Sequence, residues 1–247
     1  MKLKDFLVRE NLVLSEKESS ALILAGYVLV NGSPCYHVGY SVKKDDEIIL
    51  KARKRFVSRS AEKILPLIQK WGVVISDLDW IDIGASTGGF TEVLLHLGAR
   101  RVASIDVGYG LLHPRLRKDP RVYVMERTNF FRLQKEELPF EPDGYVADIS
   151  FASLRGVLQK IAMWAEKDTS LICLFKPQFE IAKEERKKLE RGILKDEGIR
   201  QKTLKEFLCF ASGLGWQLIA QEDAPIKGAK GNQEVVIYFK ITRASLI

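Results

Sequence analysis

The chain has 247 residues, is 46% hydrophobic, and carries 39 lysines and arginines against 32 aspartates and glutamates, a formal net charge of +7. That length suits one large domain or a small module followed by a medium one, with apolar residues enough for a sizeable core. The longest apolar runs, such as Leu171 to Phe175, are too short to span a bilayer, and the excess of cations favours a polyanionic partner over a membrane. The start alternates charged and apolar residues (Lys2, Lys4, Asp5, Arg9, Glu10), unlike a signal peptide. Three widely spaced cysteines, Cys35, Cys173 and Cys209, with no Cys-x-x-Cys, argue against a disulfide framework and make a reducing cytoplasm the expected location. His37, His96 and His113 have no partners at ligand spacing, so no metal site is expected.

The first 50 residues read as a compact α/β module. Lys4 to Glu10 has helical apolar spacing. Ser15 followed by Glu18 fits a capping box ahead of a second helix through Ala21, Leu22 and Leu24. Gly26 ends that helix, and Tyr27 to Val30 alternates like a strand into an Asn31-Gly32 turn. Another strand is expected at Glu47 to Leu50. The basic run Lys51-Ala52-Arg53-Lys54-Arg55 opens a linker placed at 51–58.

These residues resemble the RNA-binding module named after ribosomal protein S-four, the alpha-L motif. Its Gly-x-Val-x-Val-Asn-Gly ending stands here as Gly26-Tyr27-Val28-Leu29-Val30-Asn31-Gly32, with Asp46-Glu47-Ile48 as the closing turn. The family opens its second helix with Ser-Arg, where this chain has Ser15-Glu16. The resemblance implies RNA binding, with Arg9, Lys17, Lys43 and Lys44 as candidate contacts, joined by Arg53, Lys54 and Arg55 in the linker and by Arg59 beyond it.

From Phe56 onward, strand patterns alternate with helical ones. Strands are expected at Trp80–Ile83, Val102–Ile105, Val122–Met125, Tyr145–Ala147, Leu171–Phe175, Gln217–Ala220 and Val235–Phe239. Helices are expected at Thr91–Leu97, Leu154–Ala165 and Thr203–Leu214. Such alternation implies parallel βαβ units in a doubly wound sheet over 59–247, and the helix-free connection between the last two strands implies an antiparallel pair.

In such sheets ligands bind at the carboxyl ends of the strands. The first large strand ends in Asp82-Ile83-Gly84-Ala85-Ser86-Thr87-Gly88-Gly89-Phe90, which is neither a P-loop nor the dinucleotide fingerprint. Its glycines let a ligand approach the backbone. Asp82 is placed to meet a cationic group such as the amino group of a methionine moiety. Asp106, ending the next strand, is placed like the acidic residue that holds ribose hydroxyls. Asp148 ends the fourth strand, Lys176 ends the fifth, and Glu234 opens the last. Because that strand should run antiparallel, all three converge on one rim, where clustered ionisable groups mark a site.

Here the chain resembles the FtsJ-type ribose methyltransferases, whose Lys-Asp-Lys-Glu tetrad matches Lys63, Asp148, Lys176 and Glu234 in order. Across its whole length it resembles the TlyA family, known both as haemolysins and as ribosomal RNA methyltransferases. The signatures are Val57-Ser58-Arg59, Asp82 through Phe90, Asp106-Val107-Gly108-Tyr109-Gly110, Arg127-Thr128-Asn129, Asp148-Ile149-Ser150-Phe151 and Lys176-Pro177-Gln178-Phe179-Glu180. The resemblance implies a Rossmann-like class I methyltransferase sheet, mostly parallel with an antiparallel last strand, behind the small α/β RNA-binding module. It also implies S-adenosylmethionine as cofactor, held by Asp82, Gly84, Ala85, Ser86, Thr87, Gly88, Phe90, Asp106 and Asn129. The implied substrates are cytidine 2′-hydroxyls in the ribosomal RNA of either subunit.

A ribose hydroxyl is a poor nucleophile, so the protein must align it with the methyl group and manage one proton. Lys176 is the candidate to orient or deprotonate the hydroxyl, Asp148 to hold Lys176, and Glu234 to position Lys63 or the ribose. The family has Gly-Gly after Ser58-Arg59, where this chain has Ser60-Ala61. Pro66 is expected to kink the helix carrying Lys63 or to delay its start. Two other readings stand beside the enzyme: a membrane-active cytolysin, which the absence of a long apolar or amphipathic stretch disfavours, and a catalytically silent RNA-binding scaffold.

Overall fold

The structure, a computed structural model, describes residues 1–10, 12–13, 15–50, 56–150 and 152–242. The chain divides into two compact units, Met1–Arg55 and Phe56–Ile247.

The first unit has helices α1 (Leu3–Arg9) and α2 (Glu16–Leu24), followed by strands β1 (Val28–Val30), β2 (Ser33–Pro34) and β3 (Ile48–Leu50). Ser15 caps α2 by accepting the Glu18 N–H at 3.2 Å. Gly26, with φ +72°, takes the left-handed turn after the helix, and Asn31 and Gly32 both adopt positive φ in the tight β1–β2 hairpin. The strands form an antiparallel sheet in the order β2-β1-β3, closed over Leu3, Leu7, Leu22, Ile23 and Val28.

The second unit is a seven-stranded sheet. Its strands are β4 (Asp79–Ile83), β5 (Arg101–Ile105), β6 (Val122–Met125), β7 (Gly144–Ala147), β8 (Ser170–Phe175), β9 (Trp216–Asp223) and β10 (Val235–Ile241). They lie in the order β6-β5-β4-β7-β8-β10-β9, with β10 antiparallel to both neighbours and the rest of the register parallel. The last strand is therefore interior, and β9 takes the edge. Helices α3 (Ala61–Lys70), α4 (Gly89–His96), α5 (Pro114–Arg117), α6 (Leu154–Trp164), α7 (Pro177–Glu180) and α8 (Glu197–Gly213) accompany the sheet. Apolar side chains of alternate strand positions feed two cores, one around Ile81, Tyr145, Phe175 and Phe207, the other around Trp80, Val102, Ile172 and Val236. Each large side chain removed from water there contributes about 1.5–3 kcal/mol. Gly144 stands opposite Trp80 in the register, and a Cβ on it would lie 2.6 Å from the indole ring, so only glycine fits.

Pro66 does not delay α3, which runs from Ala61 to Lys70 with the proline inside it. The first turn closes through i→i−3 bonds (Glu62 N–H to Arg59, Lys63 N–H to Ser60). The proline withdraws a donor from the carbonyl of Glu62, an exposed residue whose carbonyl water can serve. Strand β4 is buried along its length and lies between β5 and β7. The chain leaves it toward β5 and β6 and returns on its other side as β7, which puts the switch point of the sheet at the carboxyl end of β4.

Candidate active site

The β4–α4 loop wraps tightly at that switch point. The Gly84 and Ala85 N–H groups both donate to the Ile105 carbonyl, and Asp148 N–H donates to Ile83. Gly84 has φ +81°, and a Cβ there would lie 2.7 Å from the Asp148 carbonyl oxygen. Close passage of the two loops thus requires glycine on two counts. Gly88, also at positive φ, turns the chain into α4, and a Cβ on it would run into the Leu112 and Leu116 side chains.

Asp82 is fully buried. Its Oδ2 accepts from Thr91 N–H (2.8 Å) and Thr91 Oγ (2.6 Å), while Oδ1 has no hydrogen-bond partner among the described residues. Burial pushes its carboxyl up to about 7, against the pull of the Thr91 bonds. Asp106 accepts from Ser86 N–H at 2.8 Å and Gly108 N–H at 2.7 Å, one on each oxygen, leaving each oxygen a further lone pair. Asn129 is exposed, and its side-chain oxygen accepts from Phe131 N–H.

Two cavities open on this loop. One, of about 170 Å³, is bounded by Asp82, Gly84, Ala85, Ser86, Thr87 and Phe90, with Ser58, Ser60, Asp148, Ser150 and Lys176 closing it. The other, of about 530 Å³, runs from Gly84 and Ser86 past Asp106 to Asn129, Phe130 and Phe131. A third, of about 300 Å³, lies beyond Lys176 between Lys63, Glu234 and the segment around Gly192. Lys176 and Ser150 belong to the walls of both the first and the third.

The tetrad assembles as two ion pairs. Lys176 Nζ lies 2.7 Å from Asp148 Oδ1, with Nζ 2.9 Å from both the Ile149 carbonyl and Ser150 Oγ. The contacts to Ile149 and Ser150 are hydrogen bonds and that to Asp148 is an ion pair, so one N–H of the ammonium is left over. Lys63 Nζ donates to Glu234 Oε2 at 2.7 Å. Lys176 and Glu234 are buried, and Lys63 and Asp148 are half-buried. Desolvating four charges is costly unless they pair, and pairing is what the rim shows.

Several participants escaped the sequence reading. Ser150 was visible only as part of a motif. Glu126 fastens the loop after β5 by accepting from Gly110, Leu111 and Leu112 N–H groups, and the Arg117 guanidinium chiefly holds its carboxyl down at about 2. Glu180 anchors α7 by accepting from Ser153 Oγ and Leu154 N–H, and burial raises its carboxyl. Asn232 is buried, accepting from Leu194 N–H and donating to the Gly192 carbonyl. None of these lies in a sequence pattern that announces its partner.

The candidate RNA contacts are spread over several elements. In the first unit Arg9 ends α1 and is bonded to Glu10, Lys17 lies in the first turn of α2, and Lys43 and Lys44 lie in the turn before β3. Lys17, Lys43 and Lys44 are exposed, as is Arg59 just ahead of α3 in the second unit. Arg53, Lys54 and Arg55 lie outside the described residues, as does Phe151. Among the described residues no helix is long and apolar enough to cross a membrane.

A doubly wound sheet of this order, with a glycine loop at its switch point and a Lys-Asp-Lys-Glu set on the same rim, defines a class I methyltransferase. The FtsJ-like methyltransferase profile matches residues 56–241, and the S4 domain profile matches residues 1–48. The 16S/23S rRNA (cytidine-2′-O)-methyltransferase TlyA of Mycobacterium tuberculosis is 36% identical over 95% of this chain and 87% of its own length. Hemolysin A of Brachyspira hyodysenteriae is 34% identical over 98% of this chain and the whole of its own. A solved structure bearing the hemolysin name, from Streptococcus thermophilus, superposes with a TM-score of 0.73 at 31% identity, covering 98% of this chain and 88% of that one. The chain belongs to the FtsJ-like methyltransferase family and, within it, groups with the TlyA proteins.

Proposed function

We propose that the protein transfers the methyl group of S-adenosylmethionine to the 2′-hydroxyl of a cytidine in ribosomal RNA, acting on ribosomal subunits in the cytoplasm. The observation that carries this reading is the Lys176–Asp148 pair, 2.7 Å apart, on the wall between the glycine-loop cavity and the cavity beside Glu234.

The residues present fit the cofactor. Asp82 Oδ1, buried and without a partner, is the acceptor an ammonium would complete, and Asp106 keeps lone pairs for ribose hydroxyls. Ile105 and Phe130 offer apolar walls to a purine. When bound, the cofactor supplies an electrophilic sulfonium methyl. The protein then has two tasks. Lys176, fixed by Asp148, Ile149 and Ser150, presents a donor that orients O2′ for in-line attack, a positioning effect of the kind worth several kcal/mol. The proton released from the 2′-hydroxyl on transfer passes to the Asp148 carboxylate, since the Lys176 ammonium can only donate. Lys63 and Glu234 hold the far side of the target cavity. The S4-type unit supplies the RNA grip, through Arg9, Lys17, Lys43 and Lys44 with the linker and Arg59, each phosphate contact making binding more salt-sensitive.

Incubation with tritiated cofactor and unmethylated ribosomal subunits, followed by nuclease digestion, tests this. Label is expected on a 2′-O-methylated cytidine, with the rate lowered at least about 100-fold in Lys176→Ala. Label on a base, or an undiminished rate in Lys176→Ala, would overturn the reading.

A further inference from the structure

Among the described residues, one side-chain polar atom on the wall of the target cavity is both buried and without a hydrogen-bond partner. Of the side chains on that wall, Lys63 and Glu234 are bonded to each other, Lys176 is held by two hydrogen bonds and the Asp148 ion pair, and Asn232 spends both ends of its amide on the chain. Gln178 Oε1 is buried and has no hydrogen-bond partner among the described residues. Buried carbonyl oxygens rarely stay unfilled, and Gln178 lines the cavity, so a donor on the ligand is the partner we assign to it.

We propose that Gln178 reads the base of the methylated nucleotide, accepting a hydrogen bond from the exocyclic amine of cytosine. The assignment rests on the methyl-transfer reading above. Gln178 lies two residues past Lys176, in the short helix α7 that Glu180 pins to the start of α6. The base is attached to the sugar carbon next to the one bearing the 2′-hydroxyl, so the group that grips the base must stand near the group that orients the hydroxyl. The rest of the wall suits a flat ring. Phe179 and Leu189 give apolar surface, and the chain at Gly192 and Gly228 is bare. A Cβ at Gly228 would press on the Glu234 carboxylate that Lys63 holds. An unstacked base held between apolar faces and read along its edge is the usual mode of single-nucleotide RNA recognition. Uracil presents a carbonyl where cytosine has its amine, which sets acceptor against acceptor and rejects it.

The test uses the full-length protein and ribosomal RNA carrying, at the methylated position, either cytidine or the pyrimidin-2-one riboside that lacks only the amine. Wild type is expected to favour cytidine in kcat/KM by about tenfold or more, the effect of one hydrogen bond to a buried acceptor. Gln178→Met should lose that ratio by falling on cytidine alone, with S-adenosylhomocysteine affinity unchanged. Gln178→Glu, which keeps an acceptor, should retain the ratio and carries the test if Gln178→Met does not fold. A Gln178→Met protein that still discriminates, a wild type that treats both substrates alike, or a Gln178→Glu that loses the ratio would each overturn the assignment. A wild type inert toward every RNA would overturn the methyl-transfer reading, and this assignment with it.

Discussion

Lys63 Nζ lies 2.7 Å from Glu234 Oε2, a contact between side chains 12% and 5% exposed and 171 residues apart in sequence. It ties the first turn of α3 to the residue that opens β10, and so fixes one wall of the target cavity. Glu234 is brought to this rim because β10 runs antiparallel to β8, pairing Val235 with Phe175 beside Lys176.

Removing one member of that pair should cost more than removing both. Glu234→Ala strands a lysine in a poorly hydrated site, with an expected loss of about 3–5 kcal/mol, whereas Lys63→Met combined with Glu234→Leu should come within about 1–2 kcal/mol of wild type or exceed it. Denaturant unfolding measures both. Activity should be lost in each case, which separates the role of the pair in the site from its role in stability.

Asp82 should make the protein and its cofactor affinity sensitive to pH. Burial holds its carboxyl in the folded protein at about 7, well above the usual carboxylate range. The raised value favours folding most below about pH 4, and that contribution is lost as pH rises through 7. Asp82→Asn should therefore be more stable than wild type at pH 8, on the order of a few kcal/mol, and lose that advantage in acid. Thermal unfolding across pH 4–8 reads this out. Cofactor affinity has the opposite slope, since the ionised carboxylate is the form that holds an ammonium. By calorimetry it should rise to about pH 7 and fall again near 8, where α-amino groups lose their proton. A rising limb that survives in Asp82→Asn would contradict the assignment.

Gly84→Ala should damage the site directly. The backbone at φ +81° and the Asp148 carbonyl oxygen 2.7 Å from the new methyl both resist it. A penalty of about 1–3 kcal/mol is expected from the backbone conformation alone. If the loop moves to relieve it, Asp148 moves too, so kcat should fall by more than the melting temperature suggests. A Gly84→Ala enzyme of unchanged rate would show that the two loops can separate without consequence.

Much of the molecule is legible in the order of its residues. Strands β4, β5, β7 and β8 declare themselves as short apolar runs because both of their faces are covered, and the glycine loop declares itself because Gly84 and Gly88 both turn at positive φ. The pattern Ser15-x-x-Glu18 and the pair Asn31-Gly32 carry their own local geometry. The delayed start that Pro66 suggested is not seen, because a proline within a helix deprives only one carbonyl, here that of an exposed residue.

The sequence by itself determined the alternation of strands and helices, the close-approach glycines, and the residue types on the rim, since these depend on periodicity and backbone sterics within a few residues. Only the tertiary structure decided how those groups are spent. It pairs Lys176 with Asp148 and Ser150, gives Glu234 to Lys63, lifts the carboxyl of Asp82, and leaves Gln178 Oε1 without a donor. Ion pairing, desolvation and hydrogen-bond satisfaction are set by whatever the fold brings within about 3 Å, and the partners here come from segments up to 171 residues apart.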